Sequence, residues 1–413
     1  MQRSIFIERP YKFVPAFKTS WPQWLLTKLK LHRISLRHRE GVWDCEVRGA
    51  EKLRASIDAG HAVLMTPNHP RLADPANMHN LALKAGCPLY FMASWHLFNH
   101  GAFTRFMVRL MGAFSVNREG MDRAAIDHAI AILKTAERPL VIFPEGTTSR
   151  TNDQLMSLMD GPSFIARTAA KRRAKDNLGS GKVVVHPVAI KYVFQGDIDK
   201  TCDAALTDIE QRLSWTPQSD MPLVDRIVKV GDALLKVKEM QYGCEVSEGT
   251  SLRQRQSNMV EHLLQPLEQE WLGEVQQGGI QIRIKNLRVK IFPDMIGDRL
   301  ELAERKRRWD HLERTYLAQQ VDCYPEQYLA ENPSVDRILE TVEKFEEDFT
   351  DKCRVHGHLK AITVVGDPIE VSPKRVRGAS ADPLMEQIRE CLEAMLLELQ
   401  TESAQYGDPN GDR

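Results

Sequence analysis

The stretch Ala62-Val63-Leu64-Met65-Thr66-Pro67-Asn68-His69-Pro70-Arg71-Leu72-Ala73-Asp74-Pro75 runs from a short apolar segment into a polar loop. An apolar run of this length, closed by proline, reads as a buried strand. His69 and Asp74 stand five residues apart. On a straight helix, five steps of about 100° would set them roughly 140° apart. Pro70 and Pro75 argue against any helix joining them, whereas Pro75 suits the first position of a new helix with Asp74 as its cap. A turn between the two would bring the carboxylate to one imidazole nitrogen. The other nitrogen would then face a pocket as a base, with its tautomer fixed. That is the base and orienting half of a catalytic triad, with the nucleophile left to the acceptor's own hydroxyl. The plainer alternative is a helix cap and an unrelated loop histidine.

Outward from this stretch the same alternation continues. Pro88–Ala93, Gly112–Val116, Pro139–Phe143 and Lys182–Tyr192 read as further strands. Asp122 is placed to cap a helix reaching about Glu137, with Ile126, Ile130 and Leu133 on one face. The fold class is α/β, a mostly buried central sheet flanked by helices. His69, Arg118 and Glu145 each follow a strand end, and open α/β sheets bind ligands at the carboxyl ends of their strands. Glu145 could accept hydrogen bonds from polyol hydroxyls, and Gly146 would let the backbone approach a ligand. Arg118 offers a rigid fork for phosphate, or else a surface ion pair.

The rest of the 413-residue chain sets bounds on function. A 42% apolar content permits a real core, and a net charge of +0 excludes the basic excess expected of a nucleic-acid binder. Seven cysteines with no C-x-x-C pair fit free thiols in a reducing compartment. There is no signal-like N-terminus, and no run of the roughly 20 apolar residues needed to cross a bilayer. Residues 1–40 form a basic segment in which Trp21 and Trp24 stand among Lys28, Lys30, Arg33 and Arg37, as on a short amphipathic helix at a membrane surface or docked on the domain. Together these features predict a cytoplasmic protein peripherally associated with the membrane.

Leu97–Met111 reads as one amphipathic helix, either covering an acyl chain or lipid, or packed in the core. Residues 41–202 hold the first part of the α/β domain, and 203–355 form a charged, mainly helical insertion. Residues 356–402 return with a strand at Ala361–Val365 and a helix at Pro383–Leu399, and 403–413 read as a disordered tail. No internal repeat or low-complexity segment is apparent.

The polar loops resemble the four sequence blocks of the glycerolipid acyltransferase superfamily, whose familiar member is 1-acylglycerol-3-phosphate acyltransferase. Asn68, His69 and Asp74 match its N-H-x-x-x-x-D pattern. Gly112 to Arg118 match the strand that ends in arginine. Phe143-Pro144-Glu145-Gly146-Thr147 match F-P-E-G-T, and Val185-His186-Pro187-Val188 match V-x-P-V. The resemblance covers about 40 to 200 and resumes at Val365-Gly366-Asp367-Pro368-Ile369. It departs at Thr148, where the family often has an arginine holding phosphate; Arg150 lies two places on.

The resemblance implies His69 as general base and Asp74 as its partner, with Asn68, Arg118, Glu145, Gly146, Thr147 and Arg150 binding the acceptor. It implies transfer of a fatty acyl chain from acyl-CoA or acyl carrier protein, as co-substrate, to the hydroxyl of a lysophospholipid or glycerol-phosphate-like acceptor in phospholipid biosynthesis. No cofactor or metal is expected: His186 and the His356/His358 pair lack a third ligand at suitable spacing. The competing readings are a catalytically weak membrane-binding scaffold and a thioesterase that uses water as acceptor.

Overall fold

The computed structural model describes residues 6–120, 122–178, 181–297, 300–324, 328–329, 332–350, 354–374 and 382–407. The chain divides into two compact units. One comprises Tyr11–Gln195 and Gly357–Ser403; the other comprises Met1–Pro10, Gly196–His356 and Ala404–Arg413.

The first unit is built on one sheet. Its strands are β1 (Val42–Arg48), β2 (Ala62–Pro67), β3 (Tyr90–Ser94), β4 (Ala113–Val116), β5 (Leu140–Val141), β6 (Val183–Phe194), β7 (Leu359–Val365) and β8 (Ile369–Glu370). Their order is β1-β7-β6-β2-β5-β3-β4, with β8 also on β6. The run β6-β2-β5-β3-β4 is parallel, so the loops after these strands emerge at one edge. β7 is antiparallel to β6 and parallel to β1. The segments flanking the helical stretch are therefore neighbours in one sheet, and the chain leaves that sheet at Gly196 and re-enters it after His356.

β2 and β6 are buried almost throughout because helices cover both faces. These include α3 (Ala50–Asp58), α4 (Asp74–Ala85), α6 (Arg123–Thr135), α7 (Gly161–Lys175) and α14 (Pro383–Leu399). Asp122 caps α6 by accepting from the Ala125 N–H at 3.0 Å. β5 is shorter than the apolar run predicts, since Pro144 has no N–H to continue a ladder. β1 and α3 are elements that the sequence pattern does not announce, β1 being an edge strand in which the charged Asp44, Glu46 and Arg48 alternate with Trp43, Cys45 and Val47.

Two helix expectations need correction. The basic N-terminal segment is two helices, α1 (Trp21–Lys28) and α2 (Leu31–Glu40), broken at Lys30, which has φ +55°. Three of their polar residues point inward beside Leu36: Gln23 donates to the carbonyls of Leu89 and Met111 at 2.8 and 3.0 Å, and Thr27 and His32 are buried. Trp21, Leu25, Leu29, Leu31 and Ile34 are exposed. The Leu97–Met111 stretch likewise splits at Gly101 into a 3-10 turn (Trp95–Asn99) and α5 (Ala102–Leu110). α5 is not a core helix, because none of its residues is fully buried.

The second unit contains α8 (Ile198–Arg212), α9 (Leu223–Tyr242), α10 (Leu252–Leu272), α11 (Ile280–Ile291), α12 (Leu302–Asp322) and α13 (Val335–Thr350). Its core gathers Leu263, Leu264, Leu287, Ile291 and Leu312. The tail is anchored as far as Tyr406: Gln405 bridges to Ser334, and the Tyr406 hydroxyl donates to Asp199 at 2.7 Å. Residues 408–413 lie outside the described residues.

This unit holds a repeat that apolar periodicity does not reveal. Asp203, Asp232 and Glu261 recur every 29 residues, as do Glu210, Glu239 and Glu268; Arg226, Arg255 and Arg283 follow at spacings of 29 and 28. Two acids seven apart lie on one face of a helix. An arginine from the next helix spans both. Arg226 grips Glu210 with Nε and Nη2 at 2.9 and 2.8 Å and Asp203 with Nη1 at 2.6 Å. Arg255 holds Glu239 and Asp232 in the same way. Arg283 holds Glu268 at 2.7 and 3.0 Å and Glu261 at 2.6 and 2.8 Å. The same bracket thus joins α8 to α9, α9 to α10, and α10 to α11. The repeat is written in charged residues, and a hydrophobic reading passes over it.

Removing one member of a buried ion pair leaves the other uncompensated. Arg283→Met strands the fully buried Glu268 and should cost about 3–5 kcal/mol in urea unfolding. The double change Arg283→Met with Glu268→Leu should recover most of that loss.

Candidate active site

The loop after β2 carries the base. His69 Nδ1 lies 2.7 Å from Asp74 Oδ2, so the expected pairing across the turn forms. Asp74 is not the helix cap, however. It occupies the first position of α4, and its carboxylate is wholly committed elsewhere. Oδ2 also accepts from the Arg71 N–H at 2.9 Å, and Oδ1 accepts from the Tyr192 hydroxyl at 2.6 Å. Asp74 is 0% exposed, whereas the His69 side chain keeps 16% of its surface. The imidazole stacks on Phe143, with ring centroids 4.1 Å apart. With Nδ1 turned to the carboxylate, Nε2 is the nitrogen left for an incoming hydroxyl.

The loop is fixed from below by side chains that imitate backbone. β2 stops pairing at Pro67, opposite Val188, while β6 continues to Phe194. Asn68 takes over: its Nδ2 donates to the Ile190 carbonyl at 2.9 Å, and its Oδ1 accepts from the Ile190 N–H at 2.7 Å. Asn152 does the same two residues along, with Tyr192 O and N, both at 2.9 Å. Between them the fully buried Lys191 is paired with Asp153. Asn68 is therefore not placed to bind the acceptor; both ends of its amide are occupied by β6.

Glu145 needs the same correction. It is 1% exposed. Its Oε1 accepts from the His69 N–H at 2.6 Å and its Oε2 from the Met156 N–H at 3.0 Å. The carboxylate bridges two loops and does not reach out toward a polyol. Burial pushes its pKa up to about 7, against the pull of those two N–H donors and of His69. Gly146 has φ +72°, and a Cβ there would meet the Met159 sulfur at 2.7 Å, so glycine is required by the turn itself. Ser149 N–H donates to the His69 carbonyl at 2.9 Å, closing the far side of the loop.

Arg118, after β4, reaches the same edge. Its Nη1 donates to the Gly146 carbonyl at 2.7 Å, and its Nε is buried with no hydrogen-bond partner. His96, absent from the sequence-based site, lies within electrostatic reach of Arg118. Burial chiefly, then Arg118 and His100, push its pKa down to about 3, so it is neutral at ordinary pH. Its Nδ1 lies 2.8 Å from the Ser94 hydroxyl. Thr147 and Arg150 are half-buried in the turn beyond Gly146, and Arg150 has φ +55°.

These positions lie inside a stretch with known relatives. Residues 44–191 match the protein family described as acyltransferase. The match covers less than half of the chain's length. A 1-acyl-sn-glycerol-3-phosphate acyltransferase of Streptococcus pneumoniae (strain ATCC BAA-255 / R6) is 35% identical over 82 residues, which is 20% of this chain and 29% of that relative. The two matches support the glycerolipid acyltransferase superfamily.

Other histidines of the sheet-bearing unit have structural partners. His186 links the Ser56 hydroxyl and the Gly366 carbonyl, each at 2.9 Å. His358 stacks on Trp43. Among the described residues, no group of three His, Cys, Asp or Glu side chains could hold a metal ion. A cleft of about 290 Å³, lined in part by Lys18, His61, Glu137 and Arg138, opens at the amino ends of β2 and β5, away from His69.

Glu145 gives this site a pH signature. Its folded pKa of about 7 exceeds the ordinary 4.5, so between these values the folded state binds more protons than the unfolded one. Its contribution to stability is present below pH 4.5 and is lost as pH rises through about 7, a change of about 3 kcal/mol. Urea unfolding at several pH values should show this slope in the wild type and not in Glu145→Gln.

Proposed function

We propose that the protein transfers a fatty acyl chain from a thioester donor, acyl-CoA or acyl carrier protein, to the hydroxyl of a glycerolipid-like acceptor, most directly lysophosphatidic acid or another lysophospholipid. The observation that carries this reading is the 2.7 Å contact between His69 Nδ1 and a fully buried Asp74. His69 Nε2 takes the proton from the acceptor hydroxyl as the oxygen attacks the thioester carbonyl. The C–S bond then breaks, and the imidazolium returns its proton to the departing thiolate. Asp74 stays ionised and stabilises the imidazolium between these steps. Arg118, whose buried Nε has no partner, and Arg150 are the cationic side chains that support a phosphate-bearing acceptor.

A positioned general base contributes about 10²–10⁴-fold in rate. His69→Ala should lose at least about 100-fold in turnover with its fold intact by circular dichroism, and Asp74→Asn should be severely impaired. Mass spectrometry of the products formed with and without lysophospholipid separates the readings. Acylated lipid supports transfer, free fatty acid would make the protein a thioesterase, and neither product would leave it a lipid-binding scaffold.

The same reading includes docking on a membrane surface. No described helix is long and apolar enough to cross a bilayer. α1 and α2 instead turn Gln23, Thr27 and His32 inward and leave Trp21, Leu25, Leu29 and Ile34 exposed, with Lys28 and Lys30 exposed among them. Apolar side chains beside lysines favour an anionic bilayer. Charge reversal at Lys28 and Lys30 should weaken sedimentation with phosphatidylserine-containing vesicles by at least about tenfold at low salt. Equal binding by both proteins would remove this segment from the interface.

A further inference from the structure

We propose that Tyr192 is a positioning residue for the base, forming with Asp74 and His69 a three-member relay that Asn152 holds in register. The proposal rests on the reading of His69 as general base. Tyr192 is fully buried, and its hydroxyl donates to Asp74 Oδ1 at 2.6 Å. The other oxygen serves His69 Nδ1 and the Arg71 N–H. Donors on both oxygens fix the plane of the carboxylate, and with it the imidazole. A hydrogen bond to an ionised oxygen is among the stronger ones, so this contact also tempers the basicity of Asp74.

The phenol can only act as donor here. Burial, and then the charge of Asp74, push its pKa well above the ordinary value. Its height is set by its own backbone, since the Tyr192 N–H and C=O are both bound by the Asn152 amide. The charged groups around the relay are Asp74 on α4, Arg71, whose guanidinium lies 5.6 Å from the Tyr192 ring centre, Glu40 at the end of α2, and Glu145 beneath His69. Lys191 and Asp153 pair with each other, and adjacent strand residues point to opposite faces, so they do not face the phenol.

Without the donor, Asp74 becomes more basic and favours the imidazolium beside it. Tyr192→Phe should therefore raise the pKa of His69 and move the acid limb of kcat/KM to higher pH by about one unit. The looser carboxylate should lower kcat by about tenfold, with the KM for a lysophospholipid acceptor changing less than about twofold. The test combines rate–pH profiles with NMR titration of ¹⁵N-histidine-labelled protein, the His69 signals being assigned with His69→Gln.

A His69 titration identical in wild type and Tyr192→Phe would overturn the relay. A raised His69 pKa without any movement of the rate profile would keep the relay and refute His69 as the base. Should Tyr192→Phe fail to fold, 3-fluorotyrosine at position 192 keeps the shape and is a stronger donor. It should lower the His69 pKa, and an unchanged value would again overturn the proposal.

Discussion

The site depends on the carboxyl half of β6 continuing past the end of its neighbour. β2 stops at Pro67, which leaves the backbone groups of Ile190 and Tyr192 exposed to whatever follows. Buried N–H and C=O groups must find partners. Asn68 and Asn152 satisfy them with side-chain amides, each reproducing one rung of a sheet ladder. Two loops distant in sequence are thereby locked to one rigid strand. His69 is the next residue after one of these clamps, and Tyr192 is itself held by the other. The precision of the His69–Asp74 contact follows from that attachment more than from the loop's own stiffness.

Glu145 completes the framework in a different way. Its carboxylate is buried without a cation in hydrogen-bonding contact, and it satisfies two backbone N–H groups from separate loops. Desolvation opposes ionisation, and the two donors favour it, so the group sits near neutrality in pH. The motif that carries Glu145 and Gly146 is consequently a brace for the base loop, with Gly146 bending the chain so that its carbonyl meets Arg118. Arg118 is held at one Nη while its buried Nε has no partner, which combines a fixed orientation with an unsatisfied donor.

The helical unit shows another economy of charge. Three brackets of one arginine and two acids recur along α8 to α11. Each fixes the register of one helix against the next, because the two acids stand two turns apart and the guanidinium reaches both only at one height. Buried ion pairs add little net stability, and their attested use is to specify one arrangement among several.

The sequence by itself determined the strands that pass through the core and the helix capped by Asp122, because apolar runs and caps are local properties; it offered the pairing of His69 with Asp74 beside a plainer helix-cap reading. It also marked Arg118 as a residue at a strand end. Only the tertiary structure decided what Asn68 and Glu145 do, since their partners Ile190 and His69 lie far along the chain, and burial is invisible in a motif. It alone turned Gln23, Thr27 and His32 of α1 and α2 inward, Gln23 answering two carbonyls at the ends of other elements. Tyr192 is the clearest case. It stands 118 residues from Asp74 in an apolar strand, and nothing in its sequence neighbourhood distinguishes it from a core tyrosine until the sheet brings its hydroxyl to that carboxylate.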